Sequence, residues 1–431
     1  MAHLLKLRWD PTFVDGLPRR DRHGCEYEAY LPDRISNRTF LLDGDVTADV
    51  TDAESAIQLL NSEAIALTGL EGLARLLLRA EAVASSKIEG FEIGGRRLLH
   101  AEVARTLGDD PPRDVTAEEI LGNIDAMAWA VSTVGNAEKL EVGHLYEIHR
   151  RLVAGTRLAA QGGVIRDRQN WIGGSDYNPC EAQFVPPPHE ELPRLLGDLC
   201  TFCNEDQLPA VAQAAIAHSQ FETIHPFSDG NGRTGRALIH VVLRRRGLIP
   251  RVLPPISLVL ATWARDYVTR LMGTRYVGGQ DSPAARKGLN RWIGLFATAA
   301  SRAVTDARMY EERVAELQSR WRQRLGRVRK GSAVDLFLDA LPGAPVITVK
   351  SAAEIIGRSF VAANSAVHEL VEAQVLSQVR LGRRNRAFEA TEVIEMFNDL
   401  ERQLASPVGD THTSPPSRAV PARRTTQRSH G

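Results

Sequence analysis

Cysteine is scarce in this chain: four residues in 431, at positions 25, 180, 200 and 203. They are too few and too scattered for a disulfide framework. Cys200 and Cys203 form a C-x-x-C inside the helical-looking LPRLLGDLCTFCNEDQLP, but no second pair of cysteines or histidines stands at zinc-finger spacing. Both are therefore read as half-buried structural thiols. Long apolar runs are missing too. No stretch of roughly 18 apolar residues occurs, and the opening MAHLLKLRWDPTF has no long apolar core behind a basic start. Neither a membrane span nor a signal peptide is expected, and the cytoplasm is the expected compartment. Net charge is absent as well, with Lys+Arg and Asp+Glu both at 53. Global charge thus argues for neither a nucleic acid nor a membrane as partner.

What is present is an ordinary 43% apolar content, in a length that has room for about three domains. Residues 1 to about 105 begin irregularly and then turn helical from DAESAIQLLNSEAIALTGL into EGLARLLLRAEAVASSKIEG. In the second stretch Leu73, Leu76, Leu77, Ala80, Val83 and Ala84 form one stripe at three-and-four spacing. Gly90 is placed to stop that helix. From about 112 to 300 the pattern is helical except for RDRQNWIGGSDYNPCEAQFVPPP, whose turn formers and prolines rule out a helix and fit a hairpin. VAQAAIAHSQFETI then reads as a helix running into His225, and RTGRALIHVVLRRRG as the next, ended by Gly247 and Pro250.

Between those helices lies HPFSDGNGRTGR, His225 to Arg236. Its two arginines fall where a helix begins, a position already positive from the macrodipole, so the segment is built around an anion. Gly230 to Gly235 spells G-x-G-x-x-G, but a helix precedes it and no acid follows some twenty residues on, which excludes a dinucleotide fold. No Lys-Ser or Lys-Thr follows the glycines, which excludes a Walker loop. There remains a helix, a sharp turn and a second helix, whose N-terminal N–H groups form an anion nest. Arg233 and Arg236, three apart, share a face and each can fork onto phosphate oxygens. Asp229 suits Mg²⁺, which takes one or two carboxylates beside phosphate oxygens and water. His225 stands close enough to accept a proton from an attacking hydroxyl. Phosphoryl or nucleotidyl transfer is the chemistry implied.

HPFSDGNGRTGR resembles the signature of the Fic family, His-Pro-Phe-x-Asp/Glu-Gly-Asn-Gly-Arg-x-x-Arg, at every defined position. The resemblance extends over roughly 70 to 300 and implies a role for each residue. His225 would be the base, Phe227 an anchor in the core and Asp229 the Mg²⁺ ligand. Gly230, Asn231 and Gly232 would hold phosphate, and Arg233 and Arg236 the distal phosphates. It also implies transfer of AMP from ATP to a Ser, Thr or Tyr hydroxyl of a target protein. GGVIRDRQNWIGG and AQFVPPP are similar to the family's flap, a hairpin that clamps an extended target segment by adding a strand to it.

SSKIEG sets Ser85 and Glu89 four apart on one helical face, with Glu89 in the last turn before Gly90, where a carboxylate is electrostatically misplaced. Glu89 and Arg236 would relieve each other if their helices meet. The segment resembles the inhibitory motif Ser/Thr-x-x-x-Glu-Gly/Asn of self-inhibited Fic proteins. Beyond about 300, MYEERVAELQSRWRQRLGRVRKGS reads as a charged connecting helix. Three short helices and a hairpin tipped by LGRRNR follow, the layout of a winged helix-turn-helix. Arg380, Arg383, Arg384 and Arg386 would face phosphates of DNA, or the module would dock proteins.

The expected fold is mainly α. A helical region with the inhibitory helix spans 1–110, a Fic core with a β-hairpin flap 111–300, a linker helix 301–330, a winged helix-turn-helix 331–400 and a disordered tail 401–431. The expected function is self-inhibited protein adenylylation using ATP and Mg²⁺. AMP removal, or a DNA-binding regulator with a nucleotide-sensing Fic domain, are the alternatives. The target protein is not legible, and a homodimer is left open.

Overall fold

A computed structural model describes residues 1–11, 18, 21–63, 70–107, 114–381 and 385–404. The chain opens with an antiparallel pair, β1 (His3–Trp9) and β2 (Cys25–Leu31), with His3 opposite Leu31 and Trp9 opposite Cys25. The sequence reading expected irregular structure here. CEYEAYL alternates Glu26 and Glu28, both exposed, with half-buried Tyr27 and buried Ala29, the period-two pattern of a half-covered strand. A second correction concerns the thiols. Cys25 and Cys180 form a disulfide across 155 residues of sequence. Cys200 and Cys203 are free and fully buried rather than half-buried, and burial raises both their pKa values, that of Cys200 to about 12. Distance along the chain says nothing about distance across the fold, and two lone cysteines can pair wherever packing brings them together.

Helices follow: α1 (Gly44–Glu63), α2 (Leu70–Ile88), α3 (Gly95–Thr106), α4 (Val115–Ser132), α5 (Val142–Leu152), α6 (Leu192–Cys203), α7 (Ala210–Ile224), α8 (Asn231–Arg245), α9 (Ile256–Thr262) and α10 (Ala264–Met272). Every residue of α7 is buried, as expected of an Ala-rich helix with no polar stripe. It is packed on by α6, α8 and α11 (Pro283–Leu325), while α2 and α5 lie against α4 and α8. Helix α11 runs unbroken for 43 residues, so residue 300 falls inside it. Its N-terminal half lines the core through Trp292, Ile293 and Phe296.

The C-terminal elements are α12 (Ala333–Ala340), β3 (Val346–Ile347), α13 (Val349–Ile356), α14 (Phe360–Glu372), β4 (Ser377–Leu381), β5 (Asn385–Glu389) and α15 (Thr391–Leu404), with the strands ordered β3-β5-β4. These elements do not hang from a free linker. Arg79 of α2 donates from Nη1 to the Gly343 carbonyl at 3.2 Å, and Gly95 N–H of α3 donates to Asn398 Oδ1 at 3.1 Å. Arg383, Arg384 and residues 405–431 lie outside the described residues, as does the expected boundary at 110. Among the described residues no helix is long and apolar enough to cross a membrane.

Candidate active site

Helix α7 ends at His225, whose backbone is left-handed at φ 49°, ψ 59°. A non-glycine residue there is uncommon, and one preceding a proline more so. The surroundings hold it: the His225 carbonyl accepts from Arg166 Nε at 3.0 Å and from Asn170 Nδ2 at 3.4 Å. Burial first, then the charges of Arg275 and Arg166, lower the His225 pKa to about 4. The ring is therefore neutral at physiological pH and able to accept a proton. Phe227 is fully buried. The His149 ring stacks on it at 3.8 Å and 5°, and His149 Nδ1 accepts from Gly163 N–H at 3.0 Å, so its Nε2 donates to the Asp229 carbonyl at 3.0 Å.

The turn closes on itself through Asn231. Its Oδ1 accepts from Phe227 N–H and its Nδ2 donates to the Phe227 carbonyl, both at 2.8 Å. Gly230, left-handed at φ 76°, caps the start of α8. The first N–H groups of that helix have no intrahelical partner, which makes its N-terminus an anion site. Asp229 is half exposed, with Oδ1 accepting from Gly230 N–H at 2.5 Å.

Helix α2 delivers an anion to that site. Glu89 Oε1 lies 2.7 Å from Arg236 Nη2, and a Cβ placed on Gly232 would stand 2.0 Å from the same oxygen. The carboxylate therefore rests directly on the first turn of α8, in space that only glycine leaves. Arg236 is further held by donating from Nε to Ser85 Oγ at 2.8 Å and from Nη2 to the Ser85 carbonyl at 2.7 Å. Burial pushes the Glu89 carboxyl up, but the charge and hydrogen bond of Arg236 and the charge of Arg233 outweigh it and hold the pKa below its ordinary value. Gly90 follows at φ +86°, ending the helix where the motif places its glycine.

Arg233 is engaged differently. Nη1 donates to Glu119 Oε2 at 2.7 Å, Nη2 lies 4.0 Å from Asp229 Oδ1, and Nε is buried with no hydrogen-bond partner among the described residues. One end of the guanidinium is occupied, and the Nε–Nη2 edge is the one left to bind an anion. Beside the site lies the segment expected to be a hairpin with a loop of several residues: within 165–187 its two arms pair antiparallel at one bridge, Ile172 with Phe184. Turns at Gly173 and Gly174 (φ 75° and 78°) and an Asn178 to Asp21 hydrogen bond divert the backbone from further pairing.

Ser85, Glu89, Gly90 and the residues from His225 to Arg236 thus meet at one place. His149, Arg166, Asn170, Glu119 and Arg275 belong there too, and sequence reasoning missed them. His149, Glu119 and Arg275 are isolated polar residues with no local pattern to mark them, while Arg166 and Asn170 lie in the stretch GGVIRDRQNWIGG, which marks a loop but not which of its side chains reach the site. Residues 139–243 match the Fic/DOC family model, and residues 47–132 match the Fic/DOC family N-terminal model. The chain carries a Fic/DOC domain over these residues. Similar proteins include the protein adenylyltransferase Fic of Drosophila ananassae, 30% identical over 51% of this chain and 44% of that protein. The protein adenylyltransferase Fic of Culex quinquefasciatus is 36% identical over 31% and 26%. The chain spans under half the length of these curated relatives. Among solved structures, a Fic family protein from Desulfovibrio desulfuricans G20 is 17% identical over 81% of this chain and 97% of that one, with a TM-score of 0.49.

Proposed function

We propose that the chain is a protein adenylyltransferase that transfers AMP from ATP to a hydroxyl of a target protein and is held inactive by Glu89. The observation that carries this reading is the position of the Glu89 carboxylate, an anion seated on the α8 N-terminus and on Arg236. A site that a carboxylate fills so closely suits the phosphate of a nucleotide. The names of the curated relatives support the same activity.

In this reading ATP takes the place of Glu89, with its phosphates on the first turn of α8, on Arg236 and on the Nε–Nη2 edge of Arg233. The target hydroxyl attacks the α-phosphorus, its proton passes to His225, and the bond to the β-phosphate breaks to release pyrophosphate. Asp229 fits a role in holding Mg²⁺. Its side chain is half exposed with one oxygen uncommitted, and no cluster of three or more ligand side chains is found among the described residues. That suits an ion bound mainly by phosphates and water. When bound, Mg²⁺ would neutralise phosphate charge. The loop 165–187 would present its edge to an extended target segment, and the half-exposed Trp171 and exposed Ile172 and Tyr177 give it apolar grip. Exposed Arg380 and Arg386 suit docking of a protein or DNA at the C-terminal elements, which a gel shift with random duplex distinguishes.

The test is intact-mass measurement of the wild type and of Glu89→Gly after incubation with Mg²⁺-ATP and cell extract. Addition of one or more AMP groups to the variant or to extract proteins is expected. No AMP on any protein with either form, from folded samples that bind ATP, would sink the reading.

A further inference from the structure

The last turn of α2 does more than supply Glu89. Gly90 N–H donates to the Lys87 carbonyl at 3.0 Å and Phe91 N–H to the Ser86 carbonyl at 3.1 Å, with Gly90 left-handed between them. This is the paired closure in which the glycine is C′ and the next residue, C″, folds back over the helix end. Here the fold-back sets the Phe91 ring under Arg233, with the guanidinium carbon 4.7 Å from the ring centroid. Three consecutive residues therefore engage both arginines of the loop: Glu89 meets Arg236, Gly90 makes the turn, and Phe91 meets Arg233.

Arg233 has a second fixture that does not belong to this turn. Glu119, on α4, is buried, and its Oε2 takes Nη1 of the equally buried Arg233 at 2.7 Å. The pair does not run through that turn: α4 packs on α8 directly as well as on α2, and the Glu119–Arg233 contact includes no residue of the turn. A buried guanidinium with one end anchored is confined to rotation about that anchor. What Phe91 adds is a stacked face, which draws Arg233 toward the closed turn.

Building on the function proposed above, we infer that self-inhibition acts on both arginines. Glu89 holds Arg236 by charge and Phe91 holds Arg233 by stacking, while Glu119 is the positioning residue that keeps Arg233 aimed once the turn releases. Phe91 is then a second, separable latch, and Glu89→Gly frees only one arginine.

The test uses the full chain with Phe91→Leu, which keeps an apolar residue at C″ but removes the π face, and Phe91→Tyr, which keeps both. Affinity for a fluorescent ATP analogue with Mg²⁺ and incorporation of α-labelled AMP are measured separately. Phe91→Leu is expected to raise both by about three- to tenfold, alone and again in the Glu89→Gly background, with Phe91→Tyr near wild type. In that background Glu119→Ala is expected to raise KM for ATP about tenfold or more with kcat changed less, and Glu119→Gln to recover part of the loss. Phe91→Leu matching wild type in both readouts, while Glu89→Gly raises them, overturns the second latch. Equal falls in kcat and melting temperature for Glu119→Ala and Glu119→Gln, without a change in KM, overturn the positioning role. If Glu89→Gly changes nothing while Phe91→Leu still tightens nucleotide binding, the adenylyltransferase reading fails and the hold on Arg233 stands.

Discussion

The last turn of α2 and the first turn of α8 carry opposite errors. Glu89 puts a negative charge at a helix C-terminus, and Arg236 puts a positive one near an N-terminus, each the wrong sign for its own dipole. They meet and correct each other at 2.7 Å. Yet the two partners are not alike. The Arg236 side chain is 1% exposed and keeps two hydrogen bonds to Ser85 besides the ion pair, whereas the Glu89 side chain is 37% exposed, with one oxygen on Arg236. The arginine is the fixed half and the carboxylate the removable half. An anion arriving from solvent can replace Glu89 without dismantling the pocket around Arg236. A brake built this way can release.

The largest expected effect comes from breaking what stays in place when Glu89 is removed. In the Glu89→Gly background, His225→Ala should lower transfer by at least about a hundredfold, the lower end for a general base, with nucleotide binding largely kept. Arg236→Ala should lose both transfer and binding. Label incorporation and nucleotide titration separate the two, and comparable transfer by Glu89→Gly with and without His225→Ala would refute the role of His225. Next is removal of the mobile half. Glu89→Gly should raise self-labelling about ten- to a hundredfold, the worth of one charge-assisted hydrogen bond, and adding Arg236→Ala should cancel the gain. An inactive but folded Glu89→Gly would reverse the assignment of the halves.

A third expectation is a pH profile. With its pKa lowered to about 4, His225 binds its proton only as pH falls through that value, so transfer by Glu89→Gly should hold steady down to about pH 5 rather than decline near an ordinary histidine's 6.5 or so. For Glu89 the sign is that of a depressed carboxyl. The ion pair is complete above the ordinary carboxyl value and is lost as pH falls through the lowered one. The wild type should therefore stay inhibited across the same range, and release of the wild type near pH 6 would contradict it. The smallest effect is Ser85→Ala, which removes the hydroxyl acceptor but leaves the Ser85 carbonyl. A two- to fivefold rise in labelling is expected, about 0.5–1 kcal/mol for one neutral acceptor. A rise as large as that of Glu89→Gly would mean that Arg236 is not the fixed half.

The residues from His225 to Arg236 were legible in the sequence because a turn between two helices is a local object. Its glycines, its charges and the following helix start are set by neighbours within a dozen positions. The same holds for Ser85, Glu89 and Gly90, whose spacing places them on one helical face and at its end. The helix pattern of the core was equally local, carried by apolar periodicity. The alternation in β2 is present in the sequence as well, but it spans only seven residues beside a stretch rich in glycine and proline.

Tertiary structure alone decided which groups from distant segments meet this loop. The Glu119 anchor on Arg233 and the His149 ring on Phe227 come from helices with no motif of their own, and the Arg166 hold on the His225 carbonyl comes from a loop whose pattern does not say which side chain reaches the site. The pairing of Cys25 with Cys180 across 155 positions is likewise unmarked. A buried charge needs a partner, but the sequence around it does not name one. The choice follows from how helices pack, and packing is settled by the apolar faces of the whole chain at once. The sequence by itself determined the two misplaced charges; the crossing of α2 over the start of α8 made them one device.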